Sequence, residues 1–293
     1  MNEAEGENAR GGALLILAAA ILWGTTGTSQ GLAPKGVNPV AIGALRLLVG
    51  GGALLLLAIC RKNLRGTWPL FPTAVTAIFI AAYQLSFFAA VAMTGVAVGT
   101  MVAIGSSPVA AGLLGYLVRG ERLGRSWWVA TLLAVSGCSL LVVGGGELIA
   151  EPKGISLALL AGFSYAAYTV SIKGLLDHHP PDGVLAVVFC VAALLMAPLL
   201  LFCDNGWVLT LRGGAVVLHL GLLATAGSYW LFARGLRTVK IGTAATLSLG
   251  EPLTASLLGV SVLGESLGLL QGGGILLLFG GIAILAAGSG GGE

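Results

Sequence analysis

The chain has 293 residues, 57% of them hydrophobic and 9% charged, with a mean hydropathy of +0.98. Soluble domains carry about 25% charged residues, so this composition excludes a soluble enzyme or a nucleic-acid-binding domain and defines an integral membrane protein that crosses the bilayer many times. The net charge of +3 says little by itself, because in a membrane protein the placement of charge matters more than the sum.

A helix needs about 20 apolar residues to cross a hydrocarbon core of about 30 Å. The start, MNEAEGENARGG, is acidic and polar. A secretory leader would carry a basic start and a small-residue cleavage site, so the first apolar run reads as a retained span. That first span is Gly11 to Ala33. The second is Val40 to Cys60, with Arg46 inside it. From Gly66 to Val118 there is no charge for 53 residues. As one straight helix this run would measure about 80 Å, more than two bilayers. It must fold back, and Met93-Thr94-Gly95 is the plausible break, giving the third and fourth spans. The fifth span is Ser126 to Gly146, the sixth Gly154 to Ile172, the seventh Gly183 to Cys203 and the eighth Gly213 to Ala233. The ninth is Ile241 to Gly264, with Glu251 inside it, and the tenth starts near Leu267 and ends before GSGGGE. The runs are long and continuous rather than alternating, which means helices and not a β-barrel. The expected fold is therefore all-α and integral to the membrane, with ten transmembrane helices.

The segment after the fourth span repeats after the ninth. With Pro108 aligned to Pro252, 10 of the 17 positions from Pro108 to Gly124 are identical, among them Ala111/Ala255, Gly115/Gly259, Gly120/Gly264 and Glu121/Glu265. The arginines are not copied: Arg119 and Arg122 face Leu263 and Ser266. A weaker match aligns Gly12 with Gly154 and sets Trp23 over Tyr165. The charges explain the difference. With a cytoplasmic N-terminus, eleven basic residues lie inside (Arg10, Arg61, Lys62, Arg65, Arg119, Arg122, Arg125, Lys173, Arg234, Arg237 and Lys240) and three outside (Lys35, Lys153 and Arg212). This is a strong positive-inside bias. Five spans per half is an odd number, so the second half enters the membrane inverted, and a loop that is cytoplasmic and basic in one half is external and uncharged in the other. The expected units are residues 11–146 and 154–288, working as one, with both termini cytoplasmic in the plasma (inner) membrane. Inverted repeats characterise secondary transporters with a site near the midplane.

Ten spans in two five-helix halves, a proline within the fourth and ninth spans, and G-E-[RS]-L after each resemble the drug/metabolite transporter superfamily and its EamA-type permeases, most closely the aromatic amino-acid exporters among them. The resemblance covers nearly the whole chain. It implies export of amino acids or other metabolites, with exchange of nucleotide-sugars or sugar phosphates as the alternative known in the superfamily.

The residues themselves point the same way. Pro108 and Pro252 each remove an intrahelical hydrogen bond, and irregular backbone at membrane depth persists only inside protein or beside a cavity. Ser106, Ser107 and Ser248 lie next to these breaks. Glu251 stands where Ser107 stands in the first half. A carboxylate at mid-bilayer costs roughly 2.5–3.5 kcal/mol on insertion scales, so it should face the bundle interior, to bind an ammonium group, take up a proton or satisfy freed backbone. Arg46 either binds a carboxylate or snorkels to the nearer interface. Trp23 and Thr26 share a face, as do Tyr165 and Tyr168. Tyr83, Gln84, Tyr229 and Trp230 lie mid-span, where aromatic rings can stack on a solute or simply pack. Trp68, Trp127, Trp128 and Trp207 lie at span ends and read as interfacial belt.

The expected function is export of small metabolites by alternating access, amino acids with aromatic or large apolar side chains first. Phosphorylated or nucleotide-linked solutes would need intramembrane Lys or Arg, and Arg46 is the single candidate. No HExxH, Ser/His/Asp set or metal cluster supports an enzyme. Cys60, Cys138, Cys190 and Cys203 lie scattered in apolar runs, and His178, His179 and His219 form no ligand spacing with them. No cofactor, metal or nucleic acid is expected; the partners are the solute and the bilayer, and the chain reads as a monomer.

Overall fold

A computed structural model describes residues 3–34, 36–65, 67–143, 151–263 and 268–288. Among them there is no strand; the helices are α1 (Glu3–Gly31), α2 (Pro39–Cys60), α3 (Leu70–Arg119), α4 (Arg125–Val143), α5 (Pro152–Leu176), α6 (Pro181–Met196), α7 (Leu211–Leu218), α8 (Ser228–Leu236), α9 (Ile241–Leu247), α10 (Gly250–Leu263) and α11 (Leu269–Gly288). A 3-10 stretch, Ala197–Phe202, continues α6, and a π-helical stretch, His219–Gly227, joins α7 to α8.

Eight of the described segments are long and apolar enough to cross a membrane: Asn8–Gly31, Pro39–Cys60, Leu70–Val91, Val98–Arg119, Pro152–Leu176, Pro181–Phe202, Leu211–Leu236 and Leu269–Ala287. Outside this set α4 has 19 residues, and the expected ninth span is divided at Ser248-Leu249 into α9 and α10, of 7 and 14 residues. The division has a local cause. Pro252 has no N–H to give the Ser248 carbonyl, which instead accepts from the Glu251 N–H at 2.9 Å. The expected fifth span continued to Gly146, and its last residues lie outside those described, as does the Lys35 loop charge.

The long uncharged run shows the reversal differently from its expected form. Helical conformation runs through Met93-Thr94-Gly95, so α3 is one element of 50 residues. Its two limbs nevertheless lie together. A Cβ placed on Gly99 would stand 3.0 Å from the Val91 Cα, whereas eight residues of straight helix span about 12 Å. Tyr83 and Ser107 line one cavity. The chain therefore doubles back within α3 with no loop of its own between the limbs, and the lack of a side chain at Gly99 permits the close approach.

Packing follows a few pairings. α5 lies along both limbs of α3, α2 along α6, and α4 along α11, while α1 meets α10, α8 and the π-helical stretch. Ala and Gly at the crossings bring backbones close; Gly137 of α4 and Gly274 of α11 each face the other's carbonyl. The turns at 61–65, 120–124, 177–180 and 237–240 gather at one end of the bundle, tied by Arg119–Asp177, Arg61–Asp182 and Lys173–Glu121 ion pairs. We call this the basic end.

Candidate functional site

At the centre a small space is lined by Tyr83, Ala103, Ile104 and Ser107 of α3, Tyr165 of α5, Ser248 at the α9–α10 break and Glu251 of α10. Five of these seven residues are ones the sequence singled out. The two prolines shape it unequally. Pro108 leaves the α3 helix intact, and the carbonyl it frees, that of Ile104, accepts the Ser107 hydroxyl at 2.9 Å. Around Pro252 the helix opens, and Ser248 takes part in two directions: its hydroxyl donates to the Ala244 carbonyl at 3.0 Å and meets the Tyr165 hydroxyl at 3.1 Å. The Glu251 carboxylate has no hydrogen bond or ion pair among the described residues.

Behind this space lies an aromatic core. Trp23 packs on Tyr229 at 5.0 Å and on Phe232 at 5.3 Å between ring centroids, and Tyr165 reaches Tyr83 at 5.5 Å. Phe189 completes it at 4.6 Å from Tyr229. The Trp23 indole N–H and the Tyr168 hydroxyl are buried there with no partner among the described residues, two donors that an uncharged core of this kind does not satisfy.

Arg46 does not snorkel. It is 7% exposed, and it donates through Nε to the Thr225 hydroxyl and through Nη2 to the Ala224 carbonyl, each at 3.0 Å. The reason is the π-helical stretch, whose wider turns leave carbonyls to be satisfied by side chains; the Ser228 hydroxyl shares the Ala224 carbonyl at 2.8 Å. Arg46 is near enough to act on the Glu251 charge, yet the two form no direct pair among the described residues. One turn and a half along the same stretch, His219 donates through Nε2 to Thr25 Oγ1 at 2.9 Å, since the Thr25 hydroxyl is itself given to the Leu22 carbonyl at 2.6 Å. Nothing in the residue pattern marked Thr25 and His219 as a pair, because they lie 194 positions apart.

Other expectations land elsewhere. Trp230 is not at the centre. Its indole donates to Asp182 Oδ1 at 2.7 Å, and the Arg234 and Arg61 guanidinium groups lie 4.1 and 5.5 Å from its ring. The eighth span runs on to Leu236, which puts Trp230 about 9 Å from the basic end. Asp182, which sequence reasoning passed over, holds this cluster together through Arg61, Asn63 and Arg234 as well. Ser106 gives its hydroxyl to the Ala103 carbonyl and packs on Gly162 of α5. Thr26, Gln84, Pro108 and Pro252 do not line the central space. Trp127 is 3% exposed and wedged against Gly112 and Gly242, so it packs between helices and is no part of an interfacial belt, whereas Trp128 is exposed.

The space itself is about 20 Å³, room for a single water, whereas solute pockets run to about 300–1,000 Å³. Among the described residues the site therefore has no room for a solute in this conformation. Apolar helices wrapped about a small, charged and aromatic space suit a membrane protein that handles small molecules, and the relatives of this chain are named as transporters, not enzymes. The chain belongs to the EamA-like transporter family, whose model matches residues 10–143 and again 152–287. A relative in Bacillus subtilis (strain 168), "Uncharacterized transporter YwfM", is 46% identical over 277 residues, covering 94% of this chain and 93% of its own. A "Probable amino-acid metabolite efflux pump" of Salmonella typhimurium (strain LT2) is 27% identical over 183 residues, 58% of this chain and 61% of its own. One crystal structure superposes with a TM-score of 0.80 at 21% identity over 93% of this chain and 95% of that one, a likeness of fold.

Proposed function

We propose that the protein exports small zwitterionic metabolites, amino acids with aromatic or large apolar side chains foremost, by alternating access between two inverted five-helix halves, residues 11–146 and 154–288. The halves are supported by the helix pairings. Taking the limbs of α3 as the third and fourth spans, exchange of spans one to five with six to ten turns the α5–α3 contacts into those of α1 with the π–α8 and α10 helices. The same exchange returns α2–α6 and α4–α11 to themselves. Termini in the cytoplasm and a place in the inner membrane follow from the basic loops.

The observation that carries the substrate reading is the unpartnered Glu251 carboxylate facing a space walled by Tyr83 and Tyr165, with buried Arg46 close by but separate. An ammonium group fits the carboxylate, an apolar side chain fits the rings, and the unsatisfied Trp23 and Tyr168 donors offer hydrogen bonds to a carboxylate once the halves part. Purified protein in liposomes tests this by counterflow of labelled phenylalanine, threonine and a sugar phosphate, with and without a pH gradient. Phenylalanine uptake that Glu251→Gln abolishes or renders indifferent to pH is expected. Uptake of the sugar phosphate alone would overturn the reading.

A further inference from the structure

We propose that Glu121 and Lys173 form a latch that holds the basic end of the bundle shut, and that the repeat carries no equivalent at the other end. This rests on the alternating-access reading above, and it gives the G-E-R-L motif a task. Gly120 ends α3 in the left-handed region at φ 66°, with the Glu121 N–H returned to the Gly115 carbonyl and the Gly120 N–H to that of Tyr116, a glycine C-cap. That turn aims Glu121 back at the bundle. Its Oε1 accepts from Lys173 Nζ of α5 at 3.0 Å, and its Oε2 accepts the Ile241 N–H, the first of α9, at 2.7 Å. Lys173 Nζ also donates to the Val239 carbonyl at 2.5 Å. Both side chains are largely buried, 10% and 13% exposed.

One carboxylate thus ties the first half to two elements of the second. Around it, Arg119 pairs with Asp177 at 2.7 Å, and Lys240 Nζ donates to the Arg122 carbonyl at 2.7 Å. Directly beneath lies an apolar plug of Ala111, Ala166, Val170, Ile241 and Ala245, one turn from the cavity residues Ser107, Tyr165 and Ser248. Latch, plug and cavity form three layers. Opening toward the basic end must part α3 from α5 and α9, and that breaks the Glu121 contacts first.

The repeat differs here in sequence, and its Glu265 lies outside the described residues. The repeat places Glu265 where Glu121 stands, but the match of Gly12 to Gly154 places Gly31 where Lys173 stands. The copy keeps the carboxylate and drops the lysine. A charged latch at one end only biases the protein toward closure at the basic end.

The test uses the full chain with Cys60, Cys138, Cys190 and Cys203 replaced and a single cysteine at Ala245, in membrane vesicles of each orientation, with a membrane-impermeant maleimide. A variant retaining Cys60 alone, exposed at the basic end, reports which face that end occupies. Glu121→Gln keeps an acceptor for the Ile241 N–H and removes the charge; Lys173→Met removes the partner. Each is expected to speed labelling of residue 245 from the basic face by at least about fivefold, the low end of a typical coupling. The double variant should be no faster than either single one, as for residues acting as a unit. A control cysteine at Ala134, buried between α4 and α11, should be unaffected. Unchanged rates, equal acceleration from both faces, acceleration at residue 134, or additive effects overturn the latch. If labelling responds as expected while no form carries phenylalanine, the substrate reading fails and the latch stands.

Discussion

Among the described residues Tyr165 has one side-chain hydrogen bond outside its own helix, its hydroxyl on Ser248 at the α9–α10 break. Tyr165→Phe keeps the ring against Tyr83 and Trp23 and removes that bond, so a loss of about 0.5–1.5 kcal/mol is expected, read as lower thermal stability in detergent with stacking selectivity retained. Arg46 is the opposite case. Arg46→Met leaves the Ala224 carbonyl to the Ser228 hydroxyl and takes the donor from the Thr225 hydroxyl, and a buried acceptor stripped of its partner costs about 1–3 kcal/mol. A melting temperature equal to wild type would show that those acceptors find other donors. These residues also mark what the sequence made readable. Glu251, Ser107 and Ser248 could be found because charge, proline and hydroxyl stand out against apolar runs. The partners of Arg46, the burial of Asp182 and the place of Lys173 could not, since each depends on groups more than a hundred positions or a whole helix away.

At the scale of the helix, close backbone contact is the organising feature. A Cβ on Gly137 would stand 2.6 Å from the Gly274 carbonyl oxygen and 2.6 Å from the Leu278 nitrogen. Gly137→Leu should therefore force α4 from α11, at a cost of about 1–3 kcal/mol or more, and lower the yield of folded protein. Gly52 of α2 has nothing within 4 Å of its missing Cβ, and Gly52→Ala should be neutral or stabilising by up to about 1 kcal/mol. A thermal-shift series on the two variants separates helix packing from helix propensity; equal effects would contradict the crossing. The turn-back of α3 was legible because no helix of that length fits a bilayer. The absence of a loop between its limbs was not, and neither was the π-helical stretch, because wide and narrow helical turns share one hydrophobic pattern. The interruption at Ser248 was signalled by Pro252, whereas the identical signal at Pro108 produced none, because there the Ser107 hydroxyl occupies the freed carbonyl.

For the molecule as a whole, orientation rests on charge. Reporter fusions at Asn2 and Glu293 should both read cytoplasmic; an external signal from either end contradicts the inverted halves. Replacing Arg119, Arg122 and Arg125 together by uncharged residues should lower the yield of correctly inserted protein, although Arg119 also pairs with Asp177. Such a loss therefore needs the topology reporters to assign it. The one-water central space has a consequence in bioenergetics. A membrane holding 100 mV stores about 2.3 kcal/mol for every elementary charge that crosses it, and a continuous wet path past Glu251 would let protons drain that store. With the polar space only about 20 Å³ and an apolar cluster and an ion pair between it and the basic end, the resting protein is expected to insulate. Liposomes carrying it should hold an imposed voltage as long as empty ones do, and leak only when solute sets the halves in motion.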